Sequence, residues 1–281
     1  MKKISLLLLA IALLSGCTKQ ASMDITDPKE VVFTINGENI YKETLYDVMK
    51  SYEVGDIIVD DAQKYIIDKE ISEITEEMQS KIDEQIDLYM GAFGEEGFAS
   101  QFGDVETFTN ENLLPSLKYD ALLDKYVDEN IGHLASVYKP VKLQTMEFLD
   151  QETADAALAS LKQGVSFEKV ATDNDFEDKG APKVESLKNA TYPVEVKLFI
   201  DEAEGAKLSD VILDEENSKY YIVNVISIDY NDYVEEASAT IVAIPEAVTD
   251  IIAYYFNKYN FEVYTPELRD EIKLSRPELI D

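Results

Sequence analysis

The chain has 281 residues, of which 57 are acidic and 25 are basic, so its formal net charge at pH 7 is −32. A surface of this charge repels nucleic acid and anionic lipid headgroups, which excludes both as direct partners. The length predicts about two domains. Cys17 is the single cysteine, so no intrachain disulfide can form and stability must come from core packing.

The first residues have the pattern of a bacterial export signal. Two lysines precede the apolar run 4–14, which is too short to span a bilayer. The run ends in LSGC, residues 14–17, which resembles a lipobox, where the cysteine is acylated before cleavage. We expect residues 1–16 to be a lipoprotein signal peptide and Cys17 to carry a lipid anchor. The alternative is an ordinary secretory signal with an incidental cysteine.

The chain after Cys17 begins with a polar tether and continues into helices. Residues 17–30 have no apolar periodicity and are predicted to be the tether. The pattern then predicts a strand over 31–35, a hairpin turn at Asn36-Gly37 and a helix from about residue 42. Isoleucines recur at three- and four-residue steps over 60–90 and predict one amphipathic helix.

A stretch rich in glycine and phenylalanine follows, MGAFGEEGFASQFGD at 90–104, and is predicted to be an apolar connection that interrupts the helices. Further helix is predicted over 105–130, with Pro115 as a kink or a fresh start, and over 131–137. Exposed aromatic patches bind apolar segments, so a client surface is one interpretation of this stretch. A plain core for a helical domain is the other. The candidate residues are Met90, Phe93, Phe98, Phe102 and Phe108.

Composition changes at YKPV, residues 138–141, where an α/β pattern begins. It predicts a strand over 141–149, a helix capped by Asp150 and ended by Gly164, and a second helix capped by Ser166. A polar loop over 173–193, a short helix or strand from 194 and a two-sided apolar strand over 219–228 follow. The tail is predicted to contain a helix over 246–259, a short strand near 261–264 and a helical turn.

Few residues in this sequence have the pattern of catalytic groups. His133 is the only histidine, and its place on a helix without a Cys or His partner favours a structural role over catalysis or metal ligation. The sequence contains no phosphate loop, dinucleotide fingerprint or nucleophile elbow. We therefore expect neither a cofactor nor a metal.

The motifs resemble, in order, those of the PrsA-type foldase lipoproteins, relatives of the SurA chaperone. The quoted LSGC motif is followed by FTINGENIYKETLYD at 33–47, similar to the opening strand, turn and helix of that family. The segment 138–171 resembles the entry into a parvulin-type prolyl isomerase domain. EGAKLSDVI at 204–212 resembles the approach to its last strand, and NFEVYTPELRDEI at 260–272 resembles the C-terminal strand that rejoins the N-terminal region.

The departures from the family lie at its functional positions. Active parvulins have a histidine in the first strand, at or next to Thr145 here, and another in the last strand, where this chain has Tyr221. The glycine-rich loop that shapes the proline pocket retains only Gly180, and the pocket element is at best YPVEV, residues 192–196. The resemblance therefore implies a degenerate domain in which the isomerase activity is lost.

The resemblance predicts a mostly helical α+β protein. The helical chaperone domain would comprise 31–139 and 230–281, with a degenerate parvulin-like domain inserted at 140–229. Its expected function is to assist folding of secreted proteins on the outer face of the bacterial cell membrane, with unfolded chains as partners and a homodimer left open. The alternatives are an active prolyl isomerase and a solute-binding or adhesion lipoprotein.

Overall fold

The computed structural model describes residues 26–50 and 54–280. These residues are mostly helical, with one two-stranded and one five-stranded sheet, which confirms the predicted α+β class. The described residues divide into two compact units, one that comprises those up to 72 together with those from 252 onward, and one of residues 73–251. The N-terminal and C-terminal parts of the described chain thus belong to the first unit. The domain boundaries expected at 139/140 and 229/230 stay a prediction, and Cys17 lies outside the described residues.

The first unit begins with the hairpin that the sequence predicts. Strands β1 (Val31–Ile35) and β2 (Glu38–Tyr41) pair antiparallel, and Asn36 and Gly37 both have positive φ, 53° and 85°. Positive φ at both central positions is what a tight hairpin turn requires. The other elements of this unit are α1 (Lys42–Lys50), α2 (Gly55–Glu70) and α11 (Pro266–Ser275).

The single helix predicted over 60–90 is wrong, because the chain forms two helices there. Helix α2 ends at Glu70, and α3 (Glu76–Phe102) begins six residues later. The Thr75 side chain accepts a hydrogen bond from the Met78 N–H at 3.1 Å and caps α3. A threonine that bonds to the backbone in this way starts a new helix instead of continuing the old one.

The interruption predicted over 90–104 is present as a kink, although most residues of this stretch are helical. Helix α3 consists of two helical stretches that meet at Gly94, where φ is 67° and ψ is 167°. Helix α4 (Val105–Phe108), a π-helical turn and α5 (Leu114–Tyr138) follow. Pro115 lies in the first turn of α5, where its missing N–H costs nothing, so it marks the start of the helix and does not kink it. Helix α5 includes residues 131–137, which were predicted as a separate helical piece.

The five-stranded sheet lies in the second unit. Its strand order is β4-β3-β7-β5, with β6 also paired to β7, and all pairs are antiparallel. Strand β4 lies inside the stretch predicted to be a polar loop. The strands are β3 (Pro140–Phe148), β4 (Lys183–Ser186), β5 (Lys207–Leu208), β6 (Ile212–Asp214) and β7 (Lys219–Ser227).

Helices cover both faces of this sheet. Helices α6 (Gln151–Lys162) and α7 (Phe167–Asp173) pack on one face, and α8 (Val194–Asp201) packs on the other. Asp150 and Ser166 cap α6 and α7 by accepting backbone N–H groups at 2.8 Å and 3.2 Å, as predicted. Cover on both sides explains why β7 is apolar on both faces.

The C-terminal part contains α9 (Val234–Val242) and α10 (Pro245–Lys258). The strand predicted near 261–264 is wrong. The chain turns back at Asn260, where φ is 50°, and Phe261 packs its ring on Phe256 with centroids 5.0 Å apart. Among the described helices none alone has the length and hydropathy of a membrane span, although α9 and α10, bent by 84°, pass that test as a pair.

Candidate functional site

The two positions that replace the parvulin histidines lie on one face of the sheet, the face covered by α8. Thr145 on β3 is opposite Val223 on β7, and Tyr221 on β7 is opposite Glu147 on β3. Thr145 and Tyr221 are therefore diagonal neighbours. The direct partner of Tyr221 is Glu147, which the sequence did not single out, because strand register cannot be deduced from the residues alone.

The Tyr221 side chain is tied into the sheet. It is only 8% exposed, and its hydroxyl donates to Glu147 Oε2 at 2.6 Å. Lys219 contacts the other oxygen of Glu147 at 2.6 Å. Burial, followed by the Glu147 carboxylate, raises the pKa of Tyr221 well above its usual range. The bonds from Lys219 and Tyr221 lower the pKa of Glu147, so at neutral pH this group is a neutral phenol bonded to a paired carboxylate.

A cavity of about 500 Å³ opens beside Tyr221. Its walls come from the start of α8, the turn between β6 and β7, and β3. They carry apolar and aromatic groups as well as several carboxylates. The lining includes Glu147, Tyr192, Val194, Glu195, Glu216 and Tyr221. The structure thus brings Tyr221 and the YPVEV segment around one space, as the resemblance implies, but its chemistry is largely acidic.

Gly180 does not contribute to this cavity. It lies against α7 on the opposite face of the sheet, where a Cβ at its position would be 2.8 Å from the Ala171 Cβ and 3.0 Å from the Phe167 ring. Its carbonyl accepts a hydrogen bond from buried Gln144 at 2.7 Å, and Asn224 donates to the Gln144 amide oxygen at 2.9 Å. The one glycine left from the predicted pocket loop therefore has a packing role.

This arrangement is poorly suited to the chemistry of prolyl rotation. The resemblance implies a desolvated apolar pocket around a pair of histidines. At the matching place this chain has a tyrosine bonded to a glutamate, beside charged walls. Water and carboxylates favour the planar, charge-separated amide of the ground state over the twisted one, so such a cavity gives no reason for a lower barrier.

His133 is exposed on α5, away from the cavity lining. Its backbone carbonyl accepts from the Ser136 hydroxyl at 2.7 Å. Among the described residues no group of three or more His, Cys, Asp or Glu could hold a metal ion.

A second candidate site is the aromatic cluster formed by Tyr89, Phe93, Phe98, Phe102 and Phe108. Phe102 is at its centre, with ring centroids 5.0–5.7 Å from those of the other four members. The break at Gly94 turns the chain, so that the last turns of α3 come back over the preceding ones. Rings at these spacings and tilted angles contribute beyond their buried area.

The cluster has a buried base and an exposed top. Phe98 and Phe108 are 1% and 4% exposed and form the base, so for these two the core interpretation holds. Phe93 is 46% exposed and forms the top, and Leu88, which precedes Tyr89 in the chain, is 63% exposed. Met90 is half-buried on the same helix. The sequence therefore located the cluster but not Leu88, and it could not separate the base from the top.

A groove of about 460 Å³ lies between α3 and α5. Asp120, Asp124 and Asp128 line it from successive turns of α5, and Lys81 lines it from α3. Burial, followed by the carboxylates of Asp128 and Asp120, raises the pKa of Asp124. Like charges one turn apart are destabilising, so this groove lowers the stability of α5 at neutral pH.

Neither a family model nor a curated protein matches the sequence. Solved structures that the chain is similar to are proteins named PrsA, of which one is described as a foldase protein and another as a peptidylprolyl isomerase. The structure from Bacillus cereus is 16% identical in sequence, the match covers 88% of this chain and 98% of that chain, and the TM-score is 0.48. The one from Streptococcus pneumoniae is 19% identical, with 86% and 98% covered and a TM-score of 0.41. The one from Bacillus subtilis is 18% identical, with 88% and 99% covered and a TM-score of 0.34.

Proposed function

We propose that this protein is an extracytoplasmic chaperone that holds unfolded or partly folded secreted chains and does not catalyse prolyl isomerisation. The observation that carries the proposal is the aromatic cluster. The rings of Tyr89 and Phe102 hold the exposed Phe93 ring in place, and exposed Leu88 precedes Tyr89 in the chain, so an apolar client segment meets a preorganised surface. Preorganisation lowers the entropy cost of binding. The net charge of −32 keeps such a surface soluble.

The contribution of each exposed side chain follows from its area. Full burial of Leu or Phe contributes about 1.5–3 kcal/mol. Since Leu88 is 63% and Phe93 is 46% exposed, each has roughly half of that left to gain from a client. We expect about 1 kcal/mol per side chain, which is roughly fivefold in affinity.

The test is suppression of aggregation of an unfolded client by purified protein. Leu88→Ser and Phe93→Ser should each raise the chaperone concentration needed for half-suppression by roughly fivefold. Leu149→Ser is the matched control, because Leu149 is 79% exposed but lies next to the cap of α6, outside the cluster. Equal loss in Leu88→Ser and Leu149→Ser would refute the cluster as the client surface. Absence of suppression by the parent protein would refute the chaperone function.

The absence of isomerase activity is tested separately, with a proline tetrapeptide at low temperature. The uncatalysed barrier is about 18–20 kcal/mol, and each tenfold acceleration requires about 1.4 kcal/mol of it to be removed. No acceleration is expected. A rate increase that disappears in Tyr221→Phe would establish the enzyme alternative instead.

The lipid anchor on Cys17 is part of the same proposal. It is supported by the lysines, the apolar run and the LSGC motif that precede the cysteine. Cys17→Ala should move the protein from the membrane fraction of the producing cells to the soluble fraction. Retention of this variant in the membrane fraction would contradict the anchor without affecting the chaperone proposal.

A further inference from the structure

The cavity beside Tyr221 contains two carboxylates that the protein itself does not neutralise. Glu147 is paired with Lys219, and Asp214 accepts three hydrogen bonds within the turn between β6 and β7. Glu195 and Glu216 are exposed, and within the described part of the chain neither has an ion-pair partner. They stand on different walls, Glu195 on α8 and Glu216 on that turn.

The space between these walls has the form of a cleft. Strands β3 and β7 close it on the inner side with Tyr221 and Glu147, and Tyr192 and Pro193 form the wall that leads into α8. About 500 Å³ is enough for one long side chain with its hydration. Because the sheet and α8 pack tightly below it through Val196 and Val223, the cleft is held open by the core.

An apolar strip leads to the mouth of the cleft. Val194 and Leu198 are four residues apart on α8, so they share one face of the helix, and they are 67% and 54% exposed. Exposed apolar side chains next to a charged cleft fit a ligand that has an apolar part beside a charge.

We propose that this cleft binds a lysine or arginine side chain of an extended polypeptide, whose neighbouring apolar residue lies on the strip of Val194 and Leu198. Charge complementarity identifies the occupant, since two unpaired carboxylates face one space in a chain of net charge −32. The inference rests on the proposed chaperone function and gives it a preference for basic segments.

The test compares two labelled nonapeptides in fluorescence anisotropy with the full chain at low ionic strength. They are identical except for a central Leu-Lys-Leu or Leu-Gln-Leu. Exposed ion pairs change affinity by about 1.4- to 5-fold each, so the lysine peptide should bind about 2- to 25-fold more tightly. The preference should fall as salt is added. Equal affinities for the two peptides would overturn the proposal.

The double variant Glu195→Gln/Glu216→Gln should remove the preference for lysine. The matched control is Glu202→Gln/Glu204→Gln, which changes the net charge equally at exposed positions outside the cleft. Val194→Lys, at a position that is 67% exposed, should place a competing cation at the mouth and weaken the lysine peptide. A preference that survives in the first variant, or that the control loses equally, would overturn the proposal.

Suppression of client aggregation by the same variants separates the proposed chaperone function from the proposed preference for basic segments. If Glu195→Gln/Glu216→Gln still suppresses aggregation of a client poor in lysine and arginine, the chaperone function stands independently of the cleft. A parent protein that holds clients but shows no preference between the two peptides refutes only the basic-segment preference. If the parent neither suppresses aggregation nor binds the lysine peptide, both proposals fail.

Discussion

Substituting alanine at Gly180 should strongly destabilise the sheet-containing unit, and the cost has two parts. Gly180 has φ 65°, where any residue with a Cβ costs about 1–2 kcal/mol. The added Cβ would also meet Ala171 at 2.8 Å and Phe167 at 3.0 Å. Both neighbours belong to α7 and are buried, so neither can move aside without disturbing the core, and overpacking of this kind costs about 1–3 kcal/mol. The expected total is about 2–5 kcal/mol.

Gly164 provides the control that separates these parts. Its φ is 89°, but nothing lies within 4 Å of a Cβ built there. Gly164→Ala should therefore cost only the backbone part, about 1–2 kcal/mol. Both variants are compared with the parent by urea unfolding followed in the far-ultraviolet. If the two substitutions lower the free energy of unfolding equally, the close approach of Gly180 to α7 does not exist, and neither does the packing role assigned to it.

The remaining predictions concern charge. Asp124→Asn removes two like-charge neighbours one turn away on α5 and should stabilise the protein by about 0.4–1 kcal/mol at pH 7. Because the folded state raises the pKa of Asp124, the parent protein loses stability as pH rises through that pKa. The stabilisation by Asp124→Asn should therefore vanish in acid, where Asp124 is protonated and neutral. A stabilisation that does not depend on pH would contradict this. Tyr221→Phe should cost about 1.5–3 kcal/mol at pH 7 by removing the bond to Glu147. The folded state lowers the pKa of Glu147, so the ionised Glu147 stabilises the fold above the pKa that it has in the unfolded chain, and this contribution is lost as pH falls. The cost of Tyr221→Phe should therefore shrink below about pH 4. Urea unfolding at pH 7 and pH 3 checks both variants.

Local signals in the sequence located most of the elements correctly. The hairpin at Asn36-Gly37 and the caps Asp150 and Ser166 were predictable, because each depends on a residue acting on its immediate neighbours. The break of the long helix before Thr75 was missed, because isoleucines continue the apolar periodicity across it. The strand near 261–264 was wrongly predicted. Its residues have strand propensity, but a strand also needs a partner strand to pair with, and propensity alone does not reveal whether there is one.

The site was harder to predict than the fold, for a reason of register. The sequence placed Thr145 and Tyr221 in neighbouring strands, but the pairing of Tyr221 with Glu147 depends on how β3 slides against β7. Gly180 was assigned to the pocket from its loop, although the chain carries it to the other face of the sheet. Contacts between residues distant in sequence decided both cases.

The break at Gly94 makes the aromatic cluster local in sequence. The ring contacts among its five members join residues no farther apart than Tyr89 and Phe108. These contacts close only short loops, so the cluster is expected to form early in folding. Because one short continuous segment contains all five rings, the segment can be exchanged as a unit. Under the proposed chaperone function, insertions or exchanges within these roughly twenty consecutive residues would change which clients bind, while the sheet of the same unit stays unchanged. Selection for new secreted clients would then act on one short exchangeable segment.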